Sequence, residues 1–300
     1  MPGMGLGIVF ALSTAFSWAL ASIIHTSISR QVGIRVLMLV RQPLATVILG
    51  ACCLLLGQAL PHSPRLVWLA AASALCGIIV CDACFYAGAL SIGLRPTQVC
   101  QSLSASFTAL LGTLFLGERI GFQGWTGMVA ATCGVILVVL SEQRGVHAPP
   151  LDKRRRNRGL LFALMSALCL AVGMIFSKQA LDSGMDALSL AFYRNAISAG
   201  VLWIFALTRG SLKAAFGAMR ARPGLIRLFL LGCLFGPAGG IWLSCVALDA
   251  LPAAIASMLI GLEPIALLLL LAFAERRVPA PSSILGTCIA CAGAAILLSR

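Results

Sequence analysis

Long apolar stretches alternate with short polar connectors along the whole chain. Each stretch approaches the roughly 20 residues that a helix needs to cross a bilayer. Runs this long and continuous favour helices over barrel strands, which show short alternating segments. The pattern predicts an all-α integral membrane protein with ten transmembrane helices. The predicted spans are 5–27, 35–57, 66–91, 96–117, 122–141, 159–180, 187–208, 225–250, 252–274 and 281–299.

The second half of the chain repeats the first half, element by element. Residues 7–15 match residues 159–167, and Val40-Arg41-Gln42 matches Tyr193-Arg194-Asn195. Five predicted spans lie on each side of a polar, basic stretch. Because five is an odd number, the second copy enters the membrane from the opposite side, which predicts two inverted five-helix repeats. The predicted domains are a first repeat at 1–141, a basic linker at 142–158 and a second repeat at 159–300.

A shared motif closes both halves. Phe115-Leu116-Gly117-Glu118-Arg119 precedes an apolar run with Gly127 and Gly134, and Ala272-Phe273-Ala274-Glu275-Arg276 precedes one with Gly286 and Gly293. Together with Glu263-Pro264, the ten spans and the duplication, these motifs resemble the EamA-type branch of the drug/metabolite transporter superfamily over nearly the whole chain. The resemblance implies a secondary transporter that moves small metabolites such as amino acids across the inner membrane, often outward.

The composition makes lipid part of the solvent of this protein. The 300 residues are 60% hydrophobic and 10% charged, and the mean hydropathy is +1.01. A soluble domain cannot bury that much apolar surface. The net charge of +13 comes mostly from connectors, with the densest cluster at 153–158. Because no aromatic-rich basic face accompanies it, we expect contact with anionic lipid head groups and no nucleic-acid partner.

The basic connectors also predict an orientation. When alternate connectors are assigned to opposite sides, one side carries most of the lysines and arginines. The positive-inside rule places that side in the cytosol and both termini outside. The family resemblance implies the reverse, with cytosolic termini, so the orientation stays open between the two.

The motifs give little support to cofactor or enzyme chemistry. Nearly all twelve cysteines fall inside apolar spans, and neither Cys81-x-x-Cys84 nor Cys288-x-x-Cys291 has a second His or Cys pair nearby. We expect them to pack between helices and expect no metal and no cofactor. The sequence has no nucleophile elbow and no phosphate-cradling glycine loop, which argues against an enzyme or a primary pump. A secondary transporter is preferred, and the alternatives are a membrane-embedded channel and a non-transporting scaffold.

Ionisable side chains inside the spans are costly in lipid, and each requires a reason. Asp82 in the third span and Glu263 beside Pro264 in the ninth are candidate sites for a substrate amine or a coupling proton. The repeat does not require Asp82, whose counterpart lies near Ala238, and this favours a specific role. The alternatives are a water-filled vestibule around Asp82 and a structural pair between Glu263 and an arginine.

Four other charges recur in both halves, and we predict structural roles for them. Arg41 and Arg194 are expected to snorkel to the head groups or to neutralise an intramembrane carboxylate. The alternative is a forked contact with a substrate carboxylate. Glu118 and Glu275 end their spans and are expected to pair at the interface with the neighbouring arginines at 119, 276 and 277.

Uncharged polar side chains form stripes along several spans, which either line a wet cavity or join helices. His25 shares a face with Ser13 and Ser17, but it lies near a predicted span end and is expected at the interface. The segment 236–240 (Gly-Pro-Ala-Gly-Gly) predicts a broken helix that either exposes backbone groups or permits close packing. The uncharged substrate-site candidates are Ser17, Trp18, Tyr86, Gln98, Gln101 and Trp242.

The predicted mechanism is alternating access. A small-molecule substrate enters a central cavity between the two halves, lined by the first, third, fourth, sixth, eighth and ninth helices, and helix bundles rock to expose it to the other side. A proton on Asp82 or Glu263 is the candidate coupling ion. We expect a protein in the bacterial inner membrane, in contact with membrane lipid, as a monomer or a homodimer.

Overall fold

A computed structural model describes residues 3–92, 94–141, 152–209, 217, 220, 222, 224–275 and 280–298. Within these residues every regular element is an α-helix or a short π-helical turn. In the described part of the chain, nine helices are long and apolar enough to cross a membrane, and a shorter apolar helix follows at Pro281–Ile296. The prediction of an all-α integral membrane protein is confirmed.

The spans of the first repeat are Met4–Val32, Ile34–Leu55, Pro64–Ile92, Thr97–Leu116 and Phe122–Ser141. Those of the second repeat are Lys153–Asp182, Ala187–Thr208, Leu225–Ala250, Ala253–Leu270 and Pro281–Ile296. The largest differences from the predicted bounds are in the first and sixth spans. The first helix continues to Val32, and the sixth begins at Lys153, inside the predicted linker. Residues 142–151 of that linker lie outside the described residues.

Four spans are interrupted. The third is Pro64–Ala74, a π-helical turn at Leu75–Val80 and Cys81–Ile92, and the eighth is Leu225–Cys233, a π-helical turn at Leu234–Ala238 and Gly239–Ala250. These two spans are repeat counterparts, so both copies carry a π-helical turn at a similar place. The fourth is Leu94–Ser102, Ser104–Leu111 and a π-helical turn at Gly112–Leu116, and the ninth is Ala253–Ile260 and Glu263–Glu275. The last helix is Pro281–Leu298.

Contacts divide the chain into two compact units, each built from parts of both repeats. Unit 1 contains Met1–Leu75 and Phe176–Ala250, and unit 2 contains Cys76–Ile175 and Leu251–Arg300. The first, second, seventh and eighth spans therefore belong to unit 1, and the fourth, fifth, ninth and tenth to unit 2. The third and sixth spans each contribute to both. The units follow packing, whereas the repeats follow the order of the sequence.

In unit 1 the second span packs against the seventh, its repeat counterpart. The Trp203 indole Nε1 donates to the Leu39 carbonyl oxygen at 2.9 Å, and a Cβ at Gly50 would lie 3.2 Å from the Phe192 ring. The residue numbers rise along one helix while they fall along the other, so the two helices are antiparallel. This is the relationship that inverted repeats predict for equivalent helices.

In unit 2 the fifth and tenth spans, also repeat counterparts, pack through their glycine pairs. A Cβ at Gly134 would overlap the Ala290 backbone nitrogen and lie 2.6 Å from the Gly286 carbonyl oxygen. A Cβ at Gly293 would lie 2.5 Å from the Gly127 carbonyl oxygen. These helices are also antiparallel, and in lipid small residues allow this close approach of two backbones.

Candidate functional site

A hydrogen-bonded polar cluster in unit 2 joins the third, fourth and sixth spans. The Ser166 hydroxyl donates to Gln101 Oε1 at 2.8 Å, and Gln101 Nε2 donates to the Cys81 sulfur at 3.7 Å. Cys81 Sγ also lies 3.5 Å from Ser166 Oγ. Ser166 and Cys81 are buried, and Gln101 is half-buried. The candidate Gln101 therefore connects three spans, and Ser166 of the sixth span is part of the same cluster.

Asp82 directly follows Cys81 of this cluster. It is half-buried in the first turn of Cys81–Ile92, just after the π-helical turn. Tyr86 lies one turn later on the same face and packs edge-to-face with Phe85, with ring centroids 5.6 Å apart. Gln98, also half-buried, lies one turn before Gln101. Because π-helical turns recur at functional sites, this part of unit 2 combines an ionisable group with the expected local geometry.

Glu263 lies inside the ninth span, as predicted, at the start of the second helical segment of that span. The ninth span breaks at Gly261 and Leu262, and Glu263 lies in the first turn of Glu263–Glu275. Pro264 does not break the helix, because a proline fits its first turn, where the missing N–H has no partner. The half-buried carboxyl group forms no ion pair or hydrogen bond with the described residues.

In unit 1 the π-helical turn of the eighth span receives two side-chain hydrogen bonds. The Ser17 hydroxyl donates to the Phe235 carbonyl oxygen at 2.6 Å. Asn195 Nδ2 donates to the Pro237 carbonyl oxygen at 2.9 Å and to the Ala191 carbonyl oxygen at 2.9 Å. The interrupted backbone is thus bonded to the first and seventh spans, and the substrate-site candidate Ser17 has a structural partner.

Glycines of the eighth span accept large side chains from the first span. A Cβ at Gly240 would overlap the Trp18 indole, and one at Gly232 would lie 2.8 Å from His25 Nε2. The His25 ring is 7% exposed and packs against the eighth span, and its helix continues beyond it to Val32. Ser13 is exposed and does not share the buried face of Ser17 and His25.

The last uncharged candidate is Trp242. It is half-buried in the helix Gly239–Ala250, two residues after the Gly240 that packs against Trp18. The structure therefore distributes the candidates over both units. Ser17, Trp18 and Trp242 belong to unit 1, and Asp82, Tyr86, Gln98, Gln101 and Glu263 belong to unit 2.

The matched arginines are both buried in unit 1. Arg41 is 9% exposed and Arg194 is 3% exposed, which excludes snorkelling to the head groups. The Cys233 thiol donates to the Arg41 carbonyl oxygen at 3.4 Å, and Arg194 Nη1 donates to the Cys245 sulfur at 3.9 Å. Arg194 forms no ion pair with a carboxylate of the described residues.

Glu118 caps a helix that comes from the other repeat. Its carboxylate oxygens accept hydrogen bonds from the Ala253 N–H at 2.5 Å and the Ala254 N–H at 3.2 Å. Gly117, at φ 67°, has the left-handed conformation that ends the π-helical turn before Glu118. Glu118 thus serves the N-terminus of the ninth span, where we had expected a pair with a neighbouring arginine. The side chain of Glu275, with Arg276 and Arg277, lies outside the described residues.

Unit 1 also contains buried polar atoms that form no hydrogen bond among the described residues. Such atoms cost free energy in lipid unless something satisfies them. In the sequence, Arg194, Asn195 and Gln42 stood out only as members of a matched motif, and Ser198 had no signal beyond its polarity. These atoms include His25 Nε2, Gln42 Oε1, Ser189 Oγ, Arg194 Nε, Asn195 Oδ1 and Ser198 Oγ.

Metal binding finds no support in the described part of the chain, where no group of three His, Cys, Asp or Glu side chains could hold an ion. The described cysteines are free thiols. Neither the unit 1 nor the unit 2 cluster therefore offers a metal centre.

Comparison with known proteins gives a family and a fold. The model of the EamA-like transporter family matches residues 5–140 and 157–299. The comparison with curated proteins finds no match. One solved crystal structure is similar with a TM-score of 0.77 and 16% sequence identity, over 98% of this chain and 97% of that chain. At this identity the likeness shows the shared fold alone.

Proposed function

Because the chain belongs to the EamA-like transporter family, we propose that it is a secondary transporter that exports small metabolites by alternating access. The proposed substrates are amino acids or related zwitterions and amines, and the proposed location is the bacterial inner membrane. The family and the apolar spans make it a membrane protein of transporter type. The proposed activity moves solute and includes no covalent step.

The observation that carries the proposal is the position of Asp82. An ionisable group in a membrane span is costly and is retained mainly at substrate or ion pathways. Asp82 follows a π-helical turn and adjoins the cluster of Cys81, Gln101 and Ser166. This cluster joins three spans through a short hydrogen bond between Ser166 and Gln101 and a weaker one from Gln101 to the Cys81 sulfur. Because Asp82 directly follows Cys81, a change of protonation at Asp82 would act on the packing of these spans.

Glu263 supports the same proposal from the ninth span. Its carboxyl group lies in the first turn of a helix inside the ninth span. The break at Gly261 and Leu262 places this group beside irregular backbone, as in the discontinuous helices of transporters. We propose a proton on Asp82 or Glu263 as the coupling ion.

Transport in proteoliposomes tests the proposal. Purified protein is reconstituted, loaded with an unlabelled amino acid from a panel, and supplied with the labelled form outside. Accelerated exchange of label is expected of a carrier. A channel, the alternative class, gives uptake without counterflow, and a non-transporting scaffold gives neither.

The coupling groups are tested in the same vesicles over a range of pH. Asp82→Asn and Glu263→Gln are expected to change the pH dependence of uptake, because each removes a proton-binding carboxylate. Asp182→Asn is the matched control, since Asp182 is exposed and forms a surface ion pair with Lys178 at 3.2 Å. Unchanged uptake and pH response in both variants would remove this coupling model.

A further inference from the structure

Arg194 is a buried charge without a counter-charge in its unit. The carboxylates of unit 1 are Asp182, Asp186 and Asp249. Asp182 is exposed and bonds Lys178, and Asp186 is exposed and caps its helix through the Leu188 and Ser189 N–H groups. None of the three forms an ion pair with Arg194. A buried guanidinium normally requires an anion or several acceptors, and a sulfur atom at 3.9 Å is a weak one.

Neighbouring polar atoms on the same helix also have unused hydrogen-bonding capacity. Asn195 and Ser198 are 0% exposed and lie within one turn of Arg194. Arg194 Nε and Ser198 Oγ are donors that form no hydrogen bond, and Asn195 Oδ1 is an acceptor that receives none within the described residues. The Asn195 orientation is fixed, because its Nδ2 donates to two carbonyl oxygens. Donors and an acceptor thus remain unsatisfied side by side.

The second span adds another acceptor from the facing helix. The contacts of Leu39 with Trp203 and of Gly50 with Phe192 bring the section between residues 39 and 50 alongside the section between 192 and 203. Gln42 lies in the first of these sections, is 1% exposed, and has an unbonded Oε1. Both helices therefore contribute unsatisfied polar atoms to the interior of unit 1.

We propose that Arg194, Ser198 and Asn195 bind the zwitterionic head group of an α-amino acid. The carboxylate accepts hydrogen bonds from Arg194 and Ser198, and the ammonium group donates to Asn195 Oδ1, with Gln42 Oε1 as a second acceptor. This assignment uses the unsatisfied atoms of Arg194, Asn195, Ser198 and Gln42 according to their chemistry as donors or acceptors. It rests on the proposed function, and it narrows the substrate from zwitterions or amines to molecules that carry both charged groups.

The site is attached to the interrupted eighth span. Asn195 donates a hydrogen bond to the Pro237 carbonyl oxygen of the π-helical turn. Arg194 donates to the Cys245 sulfur in the helical segment that follows this turn. A ligand at Asn195 therefore acts on a helix that glycine and proline have already interrupted. Discontinuous helices beside the substrate are a known device for transport, and here the connection runs through named hydrogen bonds.

The test measures binding to the full chain in detergent by thermal shift and equilibrium titration. The probes are the twenty common L-α-amino acids and, for each one that binds, its carboxamide and the carboxylic acid without the α-amino group. The wild type is expected to bind the amino acid at least ~10-fold more tightly than either analogue, the loss expected when a charged hydrogen-bonding partner is missing.

Two variants locate the site. Arg194→Gln is expected to remove the preference for the amino acid over its carboxamide. Ser198→Ala is expected to weaken amino-acid binding several-fold while leaving the unliganded protein as stable as the wild type, because the Ser198 hydroxyl forms no hydrogen bond there. Ser244→Ala is the matched control: Ser244 is buried in the same unit, but its hydroxyl donates to the Ile241 carbonyl oxygen at 2.7 Å. This control is expected to retain wild-type affinity.

The outcomes separate this proposal from the proposed function. Equal binding of an amino acid and its carboxamide by the wild type overturns the head-group site, even where counterflow is observed. Wild-type affinity in Ser198→Ala, or an unchanged preference for the amino acid over its carboxamide in folded Arg194→Gln, also overturns it. Selective binding that is lost in the variants, in a protein without counterflow, supports the site and contradicts the transporter proposal.

Discussion

Gly134 of the fifth span lies backbone to backbone against Gly286 of the tenth. Gly127, seven residues before Gly134, and Gly293, seven residues after Gly286, form the matching contact of the same antiparallel pair. The equal spacing of the two glycine pairs is therefore a packing requirement. Each copy of the repeat supplies one helix, and two contacts at the same separation hold them together. Around these contacts the Val135, Val138 and Ala290 side chains form a buried apolar cluster.

Adding one methyl group at this contact should destabilise the protein. Gly134→Ala places a Cβ against the Ala290 backbone, which has little freedom to move, and overpacking of this kind costs about 1–3 kcal/mol. The measurement is thermal unfolding in detergent. Gly200→Ala is the control, because a Cβ there meets nothing within 4 Å. Equal melting temperatures for the two variants would contradict the packing role of Gly134.

Removal of the Glu118 carboxylate should loosen the start of the ninth span. Glu118→Ala leaves the Ala253 and Ala254 N–H groups without their acceptor, and the loss of a helix cap costs about 0.5–2 kcal/mol. Glu118→Gln retains one acceptor oxygen and should cost less. Thermal unfolding gives the order of the three proteins. If Glu118→Gln and Glu118→Ala lower the melting temperature by the same small amount, the carboxylate is not the cap.

The sequence was sufficient to predict the ten spans and the two repeats, because the thickness of the bilayer sets the length of every apolar helix. It failed where a side chain meets a partner distant in sequence. Glu118 was expected to bond a neighbouring arginine, and it bonds backbone groups 135 and 136 residues away. In the ninth span the break lies at Gly261 and Leu262, on the turn before Pro264, and Pro264 itself lies in the first turn of the next helix.

The polar interior shows the same limit. Polarity alone marked Ser17 and Gln101, but it did not indicate that Ser17 bonds a carbonyl oxygen of the eighth span or that Gln101 bonds Ser166. Arg194 was interpreted as a structural charge because it recurs in the first half as Arg41. Its burial and the unsatisfied atoms around it depend on helix packing, which a repeat pattern does not encode.

Loss of the Ser17 hydroxyl should weaken the eighth span at its π-helical turn. Ser17→Ala leaves the Phe235 carbonyl oxygen without its side-chain donor, and an unsatisfied buried acceptor costs about 1–3 kcal/mol. Hydrogen exchange of the amides at 234–240 should increase, together with a lower melting temperature. Ser13→Ala removes an exposed hydroxyl one turn away on the same helix and should change neither quantity. Equal exchange in both variants would show that Ser17 does not support the turn.

Gln101 and Ser166 should act as a coupled pair. Their 2.8 Å hydrogen bond joins the fourth and sixth spans, so either single change leaves the other polar group unsatisfied in a buried place. In a double-mutant cycle of Gln101→Ala, Ser166→Ala and both together, the double variant should be more stable than the sum of the single effects, with a coupling free energy of about 0.5–3 kcal/mol from chemical denaturation. A cycle of Gln101→Ala with Ser141→Ala, whose hydroxyl bonds its own helix at 2.6 Å, is the control and should be additive. Additivity in the Gln101 and Ser166 cycle as well would mean that the cluster beside Asp82 does not connect the two spans.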